Sequence, residues 1–214
     1  MQTAASLLAG DRVRIDVRCG PGARLRLVDV AALVAHDVRG GEPAEVDVRL
    51  DVGARARLEW EAQPLILGAG SAVHRRTDVE LGCGAAALLR DTLVLGRAGE
   101  LAGHLATVTD ARLETRPLHA EALDTGDVGL LRSPAVLGDA KVLDTLALYG
   151  ARVEDDAAFQ LAGAGSVRQE LAGSLAAATR AYGCAPAAWR RALLDNGGGR
   201  DGARATPPAR AAAA

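Results

Sequence analysis

A Gly-Ala pair recurs at Gly22, Gly53 and Gly84, 31 residues apart each time, and each time beside alternating apolar and polar residues. The run Arg12-Val13-Arg14-Ile15-Asp16-Val17-Arg18 precedes the first pair, Val46-Asp47-Val48-Arg49-Leu50 the second and Thr77-Asp78-Val79-Glu80-Leu81 the third. Alternation of this kind reads as a strand with one buried face. The glycines supply the turn, because they reach positive φ without a steric penalty. A second strand then leaves each turn, marked by Leu25 and Leu27, by Leu58 and Trp60, and by Leu88 and Leu89. A unit with one apolar face cannot bury it alone, so such units must stack. The expected fold is mainly β: a β-helical, stacked-strand scaffold.

Further along, the pattern changes. Residues Ala106 to Leu123 suggest two more strands, broken at Pro117, and a loop with Asp124, Gly126, Asp127, Gly129 and Pro134 follows. The run Val136 to Tyr149 fits strand or helix equally. Helical spacing is read over Leu161–Tyr182, with Val167, Leu171, Leu175 and Ala178 on one face, and a second helix is signalled by Pro186 at its start. About two C-terminal helices are therefore expected, over roughly residues 165–195, closing a single unit that spans residues 1–196. The stretch 197–214, rich in Gly, Pro, Ala and Arg, is expected to be a disordered tail.

Bulk properties narrow the function. A net charge of −2 offers no basic field for nucleic acid, and the arginines alternate with acids as on a solvated face. The three cysteines, Cys19, Cys83 and Cys184, are far apart and form no disulfide framework, which suits a reducing compartment. The first ten residues carry no Lys or Arg, so no secretion leader is expected, and no apolar run reaches the ~20 residues of a membrane helix. The expected location is the cytoplasm. Aromatic residues are 2% of the chain, so the core must be built of Ala, Val and Leu, which bury little area each and make a partner useful.

Catalytic motifs are missing. Neither Gly68-Ala69-Gly70-Ser71-Ala72 nor Gly163-Ala164-Gly165-Ser166-Val167 is a nucleophile elbow. Lys141, the sole lysine, lies outside any Gly-rich loop, so there is no phosphate-binding lysine either. The histidines His36, His74, His104 and His119 are scattered, and no preformed metal site is expected. The nearest approaches to a ligand pair are Glu100 with His104, and His119 with Glu121, whose i, i+2 spacing puts both on one face of a strand. Asp11 stands at the start of the first strand and Asp91 interrupts the apolar run Ala85–Leu95. Each either faces solvent or is buried with a polar duty, since an unpaired buried carboxylate is costly.

Several stretches, taken in order, resemble one family. They are Gly10-Asp11-Arg12 with Gly20-Pro21-Gly22-Ala23; Gly53-Ala54-Arg55-Ala56-Arg57-Leu58-Glu59-Trp60 with Gln63-Pro64; Leu95-Gly96-Arg97 with Gly99-Glu100; Pro117-Leu118 with Glu121; and Ser133-Pro134-Ala135 with Gly138. Together, from Leu7 to Tyr149, they are similar to the UreD (also UreH) urease accessory proteins. That resemblance implies a non-enzymatic maturation protein acting with UreF, the GTPase UreG and apo-urease. It implies nickel in transit through an internal polar tunnel, no permanent cofactor, and GTP bound by the partner. By motif, Asp11, Asp91 and Glu121 would line that tunnel, while Arg97 and Glu100 would hold a loop in shape. Glu100, His104 and His119 remain secondary candidates. The family has strands before the Gly-Gly-Asp segment, so an edge strand is expected to lie open here. Leu33-Val34-Ala35-His36-Asp37 replaces a Lys-Phe-Tyr-Arg-like patch of the family, and Ala9 replaces its first glycine. The alternatives are a generic β-solenoid interaction scaffold or a β-helical enzyme.

Overall fold

The computed structural model describes residues 5–195. The first coil holds β1 (Ser6–Leu7), β2 (Arg12–Cys19), β3 (Arg24–Val28) and β4 (Leu33–Ala35); the second holds β5 (Ala44–Val52), β6 (Arg57–Glu61) and β7 (Leu65–Leu67); the third holds β8 (Ala72–Leu81) and β9 (Ala86–Leu95). Two long strands, β10 (His104–Leu113) and β11 (Arg116–Asp124), precede the one-turn helix α1 (Val128–Leu131). Then come β12 (Val142–Tyr149), β13 (Phe159–Gln160), β14 (Gly165–Ala172), α2 (Leu175–Tyr182) and α3 (Ala185–Asp195). Coils stack in parallel into two facing sheets. One runs β11-β10-β8-β5-β2; the other runs β1-β4-β7-β9-β12-β14-β13, with β3 and β6 joining on the β9 side. This is the stacked-strand architecture the repeat calls for.

The repeat is real, but its register differs from the 31-residue spacing. Cys19 pairs with Val52 and Val52 with Leu81, so successive coils are offset by 33 and then 29 residues. The stacked turn positions are consequently Gly20, Gly53 and Gly82 in one column, and Gly22, Arg55 and Gly84 in another. Each turn closes with the same hydrogen bond, from Ala23, Ala56 and Ala85 N–H to the carbonyls of Gly20, Gly53 and Gly82. The third residue of each turn is left-handed: φ is 69° at Gly22, 58° at Arg55 and 64° at Gly84. Gly53 therefore does a different job from Gly22 and Gly84. A Cβ on Gly53 would lie 2.8 Å from the Pro21 nitrogen, and one on Gly82 would lie 2.7 Å from the Ala54 nitrogen. These glycines let one coil's backbone lie against the next. The buried Arg57 guanidinium ties the column together, donating to the carbonyls of Ala56 and Gly84 at 2.8 Å each.

Two other expectations are corrected, and one left open is resolved. The helix read over Leu161–Tyr182 begins only at Leu175; Gly165–Ala172 is β14, antiparallel to β12. Val167 and Leu171 lie four residues apart, a spacing that shares a face in a strand as well as in a helix. Ser174 then starts α2, its side chain accepting the Ala177 N–H at 3.2 Å. The break between β10 and β11 falls at Glu114, with φ 57°, while Pro117 sits within edge strand β11, where a missing N–H is tolerated. The ambiguous run before Tyr149 contains β12, whose two faces are both covered, so its sequence shows little alternation. The proposed tail at 197–214 lies outside the described residues.

Helices α2 and α3 cover the outer face of β9 and β12 through Leu88, Leu146, Leu148, Tyr182, Trp189 and Leu193. Trp189 is fully buried and donates its indole N–H to Asp155 at 2.9 Å. Burial works to raise the pKa of Asp155, but hydrogen bonds from Trp189, the Ala157 N–H and Arg168 outweigh it and hold this carboxyl below its ordinary range. A depressed folded pKa stabilises above the unfolded value, ~3.9, and that contribution disappears as pH falls through the folded pKa. Asp155→Ala should lose about 2 kcal/mol at pH 7. It should also flatten the acid-unfolding curve below pH ~4, read by tryptophan fluorescence. At the turns, Arg55→Gly should raise the unfolding free energy and Gly53→Ala lower it, by about 1 kcal/mol or more in each direction, seen as opposite shifts in Tm. Equal effects of the same sign would contradict the column assignment.

Candidate functional site

Between the two sheets lies a cavity of about 440 Å³. Its wall changes character along the stack. Toward β5 it is aliphatic, from Val46, Val48 and Leu50; toward β8, β10 and β11 it is polar, from Arg75, Thr77, Thr107, Thr109 and Glu121. Opposite them, β9 contributes Asp91 and β12 contributes Thr145 and Tyr149. Strand parity explains the seam. Along β8 the inner positions read Val73, Arg75, Thr77, Val79 and Leu81, so the polar pair occupies the middle of an otherwise apolar face.

Arg75 and Asp91 meet across this space. The two terminal guanidinium nitrogens reach the two carboxylate oxygens at 2.8 and 2.5 Å, and Nε donates to Thr107 Oγ1 at 3.1 Å. The Arg75 side chain is 11% exposed while that of Asp91 is 41% exposed, so the carboxylate is the partner that opens onto the void. Glu121 also faces the cavity and accepts from Gln169 Nε2 at 2.6 Å. Next to it on the same face of β11, His119 Nδ1 lies 2.8 Å from the Tyr149 hydroxyl. Burial first, then the negative charges of Glu121 and Asp91, push the Tyr149 pKa upward, so this phenol keeps its proton.

Other sequence candidates lie elsewhere. Asp11 is not among the cavity residues; its carboxylate accepts the Leu8 N–H at 2.8 Å and closes the turn into β2. Glu100 and His104 do not pair. Glu100 binds Arg97 at 2.9 Å and takes the Ala69 N–H at 3.2 Å, bonds that hold its pKa below the usual carboxylate range and shape the loop after β9. His104 instead pairs with Asp124 at 2.8 Å, edge-on to His74. His119 and Glu121 share a face as their spacing requires, yet each is bonded to a different partner. Among the described residues no group of three or more His, Cys, Asp or Glu side chains is placed to hold a metal ion.

The sequence reading missed Arg75, the threonines and Gln169 on the cavity side. It also missed a buried ion pair on the far face of β9: Arg90 to Asp144 at 2.7 and 3.2 Å, with Thr92 at 2.9 Å and Asp144 wholly inaccessible. The signal was there in Arg90-Asp91-Thr92, three polar residues inside an apolar run. Consecutive strand residues face opposite ways, so Asp91 serves the cavity while Arg90 and Thr92 serve the helix layer.

Comparison with known proteins decides the family. The chain matches the UreD urease accessory protein family over residues 1–195. It belongs to that family. UreD 1 of Streptomyces griseus is 44% identical over 150 residues, covering 70% of this chain and 58% of the relative. UreD of Cereibacter sphaeroides is 38% identical over 175 residues, covering 72% and 58%. UreD of Streptomyces avermitilis is 32% identical over 180 residues, covering 83% and 68%. The chain thus spans little more than half the length of the first two of these UreD proteins. No described helix is long and apolar enough to cross a membrane.

In this cavity, the Arg75–Asp91 pair should show a coupling free energy of about 1–2 kcal/mol, between the values typical of exposed and buried pairs. A double-mutant cycle with Arg75→Met and Asp91→Asn in urea unfolding measures it. Coupling under ~0.5 kcal/mol would contradict the bidentate contact.

Proposed function

We infer that this chain is a non-catalytic maturation scaffold that passes nickel toward apo-urease, in complex with UreF and the GTPase UreG, in the cytoplasm. The observation that carries the reading is that Asp91 and Glu121, far apart in sequence, share one cavity between the two sheets, which opens to solvent past the exposed Val28 and Val30. Divalent nickel takes carboxylate, imidazole and water ligands. An ion keeping six waters needs roughly 200 Å³ at about 30 Å³ per water, so the cavity of about 440 Å³ has room for one.

A conduit must release what it binds. Each carboxylate already has a partner, Arg75 for Asp91 and Gln169 for Glu121, and an arriving cation has to displace or share it. That competition weakens binding at each step. The Arg75 charge also offsets that of Asp91, which keeps the seam from becoming a deep electrostatic trap. Energy for the transfer would come from GTP hydrolysis on UreG, so this chain needs no nucleotide site. Asp11, outside the cavity, has no part in the path.

Reconstitution with UreF, UreG, apo-urease and nickel tests this. The double variant Asp91→Asn with Glu121→Gln keeps side-chain shape and removes both charges. It should still assemble, as read by pull-down, while urease activation falls at least about tenfold, on the order of 1.4 kcal/mol. Asp11→Ala should activate within about twofold of the parent, because it leaves the cavity unchanged. Full activation by the double variant would sink the passage role and leave only docking.

A further inference from the structure

The polar seam of the cavity runs in register along the stack. Arg75 pairs with Thr107 and Thr77 with Thr109 across β8 and β10, and Thr109 pairs with Glu121 across β10 and β11. On the facing sheet Asp91 pairs with Thr145, and Thr145 with Gln169. The seam is therefore layered: Arg75 against Asp91, then threonine hydroxyls from both sheets, then Glu121 against Gln169. Strands are spaced about 4.8 Å apart, so Asp91 and Glu121, two strand steps from each other, stand roughly 10 Å apart along the stack.

The two carboxylates have partners of different kinds. Asp91 faces a guanidinium that bonds both its oxygens and cancels its charge. Glu121 accepts from the Gln169 amide through Oε1 alone, and among the described residues it makes no ion pair. An amide supplies a hydrogen bond but no charge. The Arg75–Asp91 layer is thus electrically neutral, while the Glu121–Gln169 layer keeps the full charge of its carboxylate. Burial is the first cause of the raised Tyr149 pKa, and Glu121 follows ahead of Asp91, as expected where only Asp91 is neutralised. Gln169 itself does not line the cavity and holds Glu121 from behind. Its inward neighbours along β14 are Val167 and Leu171, so an amide at this position stands in an apolar row.

We propose that Gln169 is a positioning residue that makes Glu121 the resting point of the cation, because it fixes the carboxylate without neutralising it. This rests on the reading of the cavity as a nickel passage. At Asp91 an arriving cation meets a neutral pair and gains little. At Glu121 it meets an uncompensated carboxylate with one oxygen unengaged, and the amide bond on the other oxygen competes with it and keeps the stay short. A strut whose purpose was to join the two sheets would be stronger as an arginine, which bonds a carboxylate through two parallel hydrogen bonds. An arginine there would also abolish the negative end of the seam.

Two replacements in the full chain separate positioning from mere support. Gln169→Met keeps the volume, removes the donor and leaves the Glu121 charge exposed to the cation. Gln169→Arg keeps a donor and cancels that charge, as Arg75 does for Asp91. Nickel is titrated calorimetrically, and the step followed is the one that Glu121→Gln removes. Gln169→Met should tighten this step by about threefold, whereas Gln169→Arg should weaken it at least about tenfold and lower urease activation in the reconstituted mixture. A strut would shift both variants the same way, since both lose the amide. If Gln169→Arg fails to fold by circular dichroism, Gln169→Lys replaces it with the same expected loss. Shifts of one sign, no shift, or no nickel step that depends on Glu121 overturn the proposal. The passage itself would survive those results as long as Asp91→Asn with Glu121→Gln still loses activation; full activation by that double variant overturns both.

Discussion

Close backbone contact between successive turns is the constraint on which this structure depends. Neighbouring strands in a sheet stand about 4.8 Å apart, and a turn joining the two sheets must keep that spacing with no side chain intruding. The Gly20, Gly53 and Gly82 column meets the requirement, with contacts that leave no room for a Cβ at the two inner positions. Once the turns are stacked, both sheets are locked in register, and every inward row runs straight from coil to coil. Arg55 bears the cost of a left-handed conformation that Gly22 and Gly84 adopt freely.

Aligned rows are what allow a polar seam inside an otherwise aliphatic body. Where Arg75 succeeds Val46 along the same inner row, the interior turns from hydrocarbon to charge within one coil. A buried guanidinium persists only if its donors are used, and Asp91 with Thr107 uses them. The strand β9 then faces two polar networks at once, Arg75–Asp91 toward the cavity and Arg90–Thr92–Asp144 toward the helices. Tyr182 of α2 donates to the Asp144 carbonyl at 2.6 Å, so the helix layer is fastened to β12, the neighbour of β9 that also lines the cavity.

The scarcity of aromatic residues makes their placement telling. Each Trp and Tyr sits at a contact between layers and has its polar atom bonded there: Trp60 to Asp29, Trp189 to Asp155, Tyr149 to His119 and Tyr182 to Asp144. Such residues combine a large apolar body with a directional polar end. In a core of Ala, Val and Leu they are the parts able to fix one layer against another. Cohesion within the coils needs only small side chains, because the repeating ladder provides the order.

Alternating runs and Gly-rich turns were legible in the chain alone, and so were the stacked-strand class and the two C-terminal helices, because these depend on neighbours a few residues away. The true offsets of 33 and 29 residues were hidden, since Gly-Ala pairs mark the turns without marking which turn residues lie side by side. The segment around Val167 and Leu171 misled for a similar reason: a spacing of four satisfies both periodicities, and only β12 alongside makes it a strand. At the candidate site the sequence supplied Asp91 and Glu121 but neither their shared cavity nor the separate place of Asp11. Parity says that alternate residues share a face without saying which face is inside. That choice belongs to the second sheet, whose Asp91 and Gln169 stand 16 residues from Arg75 and 48 from Glu121 along the chain and meet them only once the coils are stacked.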